Sequence, residues 1–165
     1  MAKMEVRGVE EYALKLSRLG NKTELVAGKA IYGAAGMVAD QVRNNLQALT
    51  AVPDIENIKA YHNKEKMRLS YTQKKGLLDS FGITKMELDR SGFYCVKLGF
   101  DGYNDIKTRK YPKGQPNPLI ARVTESGSVY MDKTPFIRTA VNSIKKAALK
   151  KMQITIDDEM QKIMK

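Results

Sequence analysis

The feature that most constrains this chain is an apolar stripe near its C-terminus. Ile137, Val141, Ile144, Ala148, Met152, Ile156, Met160 and Ile163 recur every three or four residues, the spacing that puts side chains on one face of an α-helix. Thr134 and Pro135 stand just before it, an N-cap followed by the favoured first helical residue. At about 1.5 Å per residue the stripe extends on the order of 40 Å, the width of a small domain. Something of comparable length has to cover it.

Two candidates lie upstream. Val9, Tyr12, Leu16 and Leu19 keep helical spacing and Gly20 follows them, so a short amphipathic helix is expected to stop there. Thr23 then caps a second helix reaching about Leu49, with Leu25, Ile31, Tyr32, Ala35, Val38, Val42 and Leu46 on its apolar face. This segment is rich in alanine and glycine. Each interior glycine costs about 1 kcal/mol against alanine. Gly28, Gly33 and Gly36 therefore imply a second backbone packed closely on this helix, within the fold or across a subunit interface.

Residues 50–73 are polar, mixed in charge and interrupted by Pro53. They read as a loop holding at most a short helix. The period then changes to two: 81–88 and 93–100 are strand-like and are separated by Asp89, Arg90, Ser91 and Gly92, which predicts a hairpin. A long loop follows over 101–118, broken by glycine, proline and asparagine, and a loop of that length is expected to be mobile or functional. Asn117 and Pro118 open a short helix over 119–126, and Gly127 stops it. The fold class is α+β in one domain spanning 1–165: a small antiparallel sheet, the hairpin 81–100, flanked by a long Ala/Gly-rich helix and a long C-terminal helix. Strands of roughly 25 Å cannot cover the whole stripe. Either the Ala/Gly-rich helix or another subunit covers the rest, and Met152, Ile156, Met160 and Ile163 are the end assigned to a subunit interface.

No catalytic, cofactor-binding or metal-ligating set emerges. His62 is the only histidine and Cys95 the only cysteine, which rules out a two-histidine metal site and an internal disulfide and makes a reducing cytoplasm the default. A His62–Cys95 pair would join a polar loop to a strand, with no supporting motif around either. Asp157, Asp158 and Glu159 are consecutive, so on a helix they point in different directions. There is no phosphate-binding glycine loop and no nucleophile elbow. No run approaches the roughly 18 apolar residues of a membrane span, and charges interleave through the first 19 residues, unlike a signal peptide. The chain reads as a soluble, non-enzymatic protein.

Its net charge of +11 is uneven: +1 over 1–60, +6 over 61–118 and +4 over 119–165. Such a surplus attracts nucleic acid, acidic proteins or membrane surfaces. Lys107, Arg109, Lys110 and Lys113 cluster around Tyr111 in the long loop and are the candidate contact to DNA or an acidic partner. Lys145, Lys146, Lys150 and Lys151 fit the solvated face of the last helix.

Several segments together resemble the tail-component family of long-tailed bacteriophages, which acts in tail completion and head–tail joining. The opening Glu5-Val6-Arg7-Gly8-Val9-Glu10-Glu11-Tyr12 leads into the helices. Gly76-Leu77-Leu78-Asp79-Ser80-Phe81 is similar to the family's Gly-Leu-x-x-Ser step into a strand, and Val96-Lys97-Leu98-Gly99-Phe100 to its strand end. Ile120-Ala121-Arg122-Val123-Thr124-Glu125-Ser126-Gly127 resembles its Ala-Arg-x-x-Glu-x-Gly helix. Lys133-Thr134-Pro135-Phe136-Ile137-Arg138-Thr139-Ala140 resembles the segment that opens its final helix. The order and spacing carry the likeness, above all Glu125-Ser126-Gly127 followed by Pro135-Phe136-Ile137-Arg138. The longer middle, 50–73, departs from the pattern. The resemblance implies a ring subunit at the phage neck, with no catalytic residues and no cofactor. Its implied partners are copies of itself, tail-tube, tail-terminator or head-connector proteins, and transiently genomic DNA, with no membrane. Its implied setting is the virion, and the host cytoplasm during assembly. The competing reading is a basic nucleic-acid-binding protein.

Overall fold

The apolar stripe is matched by a helix even longer than itself. A computed structural model describes residues 9–164, with side chains from Gly20 onward except Asn21 and Met164. Its first element, α1, is a single helix Val9–Ala48. Two helices divided at Gly20 were expected. Glycine permits a stop without imposing one, and Gly20 does not take the left-handed conformation of a helix-ending cap. Thr23 accordingly sits inside the helix. The side chains of Val9, Tyr12, Leu16 and Leu19, and the opening segment 1–8, lie outside what is described.

The other elements are α2 (Asp54–His62), α3 (Tyr71–Ser80), β1 (Phe81–Ile83), β2 (Glu87–Leu88), β3 (Tyr94–Cys95), β4 (Leu98–Phe100), α4 (Asn117–Ser126) and α5 (Ile137–Met164). The class is α+β, with long N- and C-terminal helices and two small antiparallel sheets. No helix among the described residues is long and apolar enough to cross a membrane.

Helices α1 and α5 run antiparallel. Asn45 Nδ2 donates to the Phe136 carbonyl at one end (3.1 Å), and Lys29 pairs with Glu159 at the other (2.6 Å). Between these ties Ala30, Ala34, Ala35 and Ala39 of α1 and Ala140 and Ala148 of α5 are buried. Alanines therefore supply the small-residue seam, not the glycines. A Cβ on Gly33 or Gly36 would meet nothing within 4 Å, and one on Gly28 would meet only the Met86 side chain. Met152, Ile156, Met160 and Ile163 are half-buried along the side of α5 that follows the stripe, and α1 packs along α5.

The Lys29–Glu159 tie also has a pH signature. Hydrogen bonds from Lys162 and Lys29 hold the Glu159 carboxyl down at about 2, against an ordinary 4.5. A depressed carboxyl contributes stability above its unfolded value and loses it as the proton returns. Acid titration of stability should therefore show a falling limb between pH 4.5 and about 2 that Glu159→Gln makes shallower. Denaturant midpoints measured across that range check this. An unchanged limb would place the acid sensitivity elsewhere.

The stretch 50–73 is more ordered than its composition suggests. It contains α2 and the start of α3. Ser70 and Gln73 form a capping box on α3, each side chain bonded to the other's amide. Asn57 brackets the Arg68 backbone, donating to its carbonyl (2.6 Å) and accepting from its amide (3.0 Å). Thr72 donates from its hydroxyl to Asp54. Burial pushes the Asp54 carboxyl up, but hydrogen bonds from Ser70 and Thr72 outweigh it and leave the group below its ordinary range.

The hairpin is broken rather than continuous. Phe81 pairs with Phe100 and Ile83 with Leu98, whereas Glu87 pairs with Cys95 and Leu88 with Tyr94. The register slips by one, leaving Lys85 and Met86 opposite Val96, a β-bulge. The Met86 amide, lost to the ladder, donates to the Tyr32 hydroxyl of α1 (2.7 Å). At the tip, Asp89 Oδ1 accepts from the amides of Ser91 and Phe93, and Gly92 takes a φ of 79°.

The core joins α1 (Ala39, Val42, Leu46), Leu69, Leu77, Phe81, Ile120, Ala121, Met131, Phe136 and Ala140. Phe100 links two of these rings, 4.9 Å from Phe81 and 6.0 Å from Phe136 between centroids.

Candidate functional site

Two arrangements stand out: a clamp between α4 and α5, and a basic arm built from the loop after β4. The clamp answers an ordinary problem. The first amides of a helix lack partners inside it. At α5 they are met by a side chain from another helix: Glu125 Oε2 accepts from the amides of Phe136 and Ile137 (both 2.8 Å), and Oε1 from that of Arg138 (3.0 Å). Thr134, expected as the cap, instead donates its amide to the Thr124 carbonyl (2.6 Å). Helix α5 consequently begins two residues after Pro135. Gly127 makes the reversal between the helices with a φ of 76°, and a Cβ there would lie 3.0 Å from the Lys133 amide nitrogen. The turn needs glycine.

The segment 101–118, expected to be a long loop, carries no regular strand, and its two limbs bond across as a hairpin-like arm. Asn104 donates its amide to Gln115 (2.9 Å), Gln115 to Ile106 (3.0 Å) and Asn117 to Gly102 (3.0 Å). Thr108 and Tyr111 exchange backbone bonds at the tip (3.1 and 3.0 Å). Lys107, Arg109, Lys110 and Lys113 are all exposed there. Lys110 Nζ lies 5.5 Å from the Tyr111 ring centroid. The base of the arm is pressed onto α3. A Cβ on Gly76 would come 2.8 Å from both the Asn104 Cβ and the Asn117 Oδ1, and one on Gly114 would come 1.9 Å from the Asn104 carbonyl oxygen. Asn117, expected to cap α4, spends its Nδ2 on the Asp101 carbonyl (3.0 Å), and Pro116 occupies the cap position without a side-chain bond.

Apolar surface is left open in two places. A hollow of about 580 Å³ runs along Val38, Phe81, Leu98, Phe100, Ile137 and Val141. Helix α2 buries none of its residues; its Ile55, Ile58 and Tyr61 are exposed, and Tyr61 lines a second hollow with Val129, itself 85% exposed.

Scans against family models, curated proteins and solved structures return no match. The site's own geometry is what remains. His62 ends α2, edge-on to Tyr61, and Cys95 lies half-buried in β3. No group of three or more His, Cys, Asp or Glu among the described residues is placed to hold a metal ion. The Gly76 contact and the Glu125 clamp were the pieces sequence reasoning did not assign. Their signals were the glycine opening Gly76-Leu77-Leu78 and the short interval between Glu125 and Phe136.

Proposed function

We propose that this chain is a structural subunit of a tailed-phage neck, acting in tail completion and head–tail joining as one member of a homo-oligomeric ring. The observation that carries the reading is the Glu125 clamp. The two segments whose order and spacing most resemble the tail-component family are joined by three hydrogen bonds, so their spacing has a physical reason. The open apolar hollow and the unburied helix α2 add surfaces that a chain surrounded by neighbours uses. The proposed neighbours are copies of itself and the tail-tube, tail-terminator or head-connector proteins, with genomic DNA passing close by. The work of such a subunit is adhesion and alignment, with no covalent step.

The basic arm tests the reading. Replacing Lys107, Arg109, Lys110 and Lys113 together by Glu should leave heads and tails unjoined in a complementation assay. The melting temperature should barely move, because exposed charges contribute little to stability. Particle yields equal to wild type would reduce these residues to a role in solubility.

The Lys110–Tyr111 contact favours a second reading, a nucleic-acid-binding protein whose arm holds phosphate and stacks a base. A salt titration against random duplex DNA separates the two. A free DNA binder holds tightly at low salt and weakens steeply as salt rises; a joining subunit binds weakly until it is assembled.

A further inference from the structure

At the base of the arm lies a polar hollow of about 260 Å³, walled by Asp79 from α3 and by Asp101, Tyr103, Asn104, Asp105 and Asn117. Lys75 is the only cation on its wall, so three carboxylates against one ammonium leave −2 in a chain of +11. Asp79 and Asp105 are exposed and form no ion pair among the described residues. Two buried amides add a second, independent sign of a ligand. Asn104 is 4% and Asn117 3% exposed. Asn104 Oδ1 accepts from the Ile106 amide (2.9 Å) and Asn117 Nδ2 donates to the Asp101 carbonyl (3.0 Å), which fixes both amide orientations. The atoms left over, Asn104 Nδ2 and Asn117 Oδ1, have no partner. Buried polar groups are seldom left so.

The hollow thus offers carboxylates and an exposed tyrosine ring on its rim, with the two orphaned amide atoms buried in its wall. A guanidinium fits this set. It is planar, rich in donors, always charged, and stacks on aromatic rings. Among the described residues the exposed arginines without an ion pair are Arg90, Arg109, Arg122 and Arg138, and of these Arg109 alone sits within a run of cations, between Lys107 and Lys110 at the arm tip. None of the tip's four cations forms an ion pair among the described residues, so the tip does not fill its own hollow.

We propose that the hollow receives the arm tip of a second copy of this chain, with Arg109 seated among Asp79, Asp101 and Asp105. This rests on the ring reading above and names the contact that closes the ring. Each copy offers one tip and one hollow, so the contact is head-to-tail, and repeating it with a closing rotation gives a ring.

Charge reversal tests it, read as oligomeric state by sedimentation at low salt. The wild type should form oligomers. Asp79→Lys with Asp105→Lys, and separately the fourfold arm variant Lys107→Glu, Arg109→Glu, Lys110→Glu and Lys113→Glu, should each weaken association about a hundredfold. All six positions are exposed, so folding should survive, which circular dichroism checks. Mixing the two variants should restore assembly, because each then meets its opposite, and so should carrying both sets of changes on one chain. A monomeric wild type overturns the proposal. So does an oligomer indifferent to either set, and so does assembly that neither mixture nor combination restores. Wild type that takes up duplex DNA through the tip without changing its oligomeric state also overturns it. If the contact fails while wild-type chain still joins heads to tails, the ring reading stands and another surface closes the ring; if the chain assembles as proposed but joins nothing, the head–tail joining role falls instead.

Discussion

Phe136→Ala should cost about 3–5 kcal/mol, the largest loss expected from any single side chain here. Phe136 is 1% exposed and packs edge-on against Phe100. Its backbone carbonyl accepts from Asn45 of α1, and its amide is held by Glu125. Truncation would open a cavity where α1, α4, α5 and the β1–β4 sheet meet. Domains of this size are stable by about 5–15 kcal/mol, so much of the total would go. Urea denaturation should show a lower midpoint with an unchanged slope, and Phe136→Leu should recover much of the loss. A cost below about 1.5 kcal/mol, the usual range for volume-conserving changes, would mean the site collapses around the gap and is not the junction described.

Glu125→Ala should cost about 2–4 kcal/mol, because three amides lose a charged acceptor at once. Glu125 is half-buried, so water replaces the carboxylate only in part. Its negative charge also lies at the positive end of α5, which contributes separately. Glu125→Gln keeps an acceptor oxygen while removing the charge, and should fall between wild type and Ala. Hydrogen exchange at the amides of Phe136, Ile137 and Arg138 reads the effect directly: all three should exchange faster in Glu125→Ala. Unchanged protection would show that the amides are shielded by packing alone.

How legible this fold was depended on whether its determinants were local. The apolar stripe of α5 and the helix closed by Gly127 could be read because spacing and a single turn residue specify them. The opening of α5 could not, since its cap comes from Glu125, across the turn between the helices. Asn117 was misread for the same reason: its amide has a tertiary partner in Asp101 that outcompetes a local cap. Ser70 and Gln73 carried a visible capping box, lost because the polar stretch around them was taken as one loop. The division of α1 at Gly20 over-read a residue that permits a break without requiring one. The cationic members of the arm were legible as composition. The hollow at its base was not, because its walls come from α3 and the arm, brought together by tertiary contacts such as those of Asn104 and Asn117 at Gly76 and of Gln73 with Gln115.

The one-residue slip in the hairpin has a consequence for the contact between copies proposed above. An open strand edge recruits further strands without limit, and a long flat one seeds fibrils. Here the regular ladder is three residues long on one side of the bulge and two on the other. The bulged strand bends and twists between them, and Tyr32 has already taken the amide of Met86. No stretch of edge is straight enough to template another copy. On the proposed reading, contact between copies is left to side-chain surfaces.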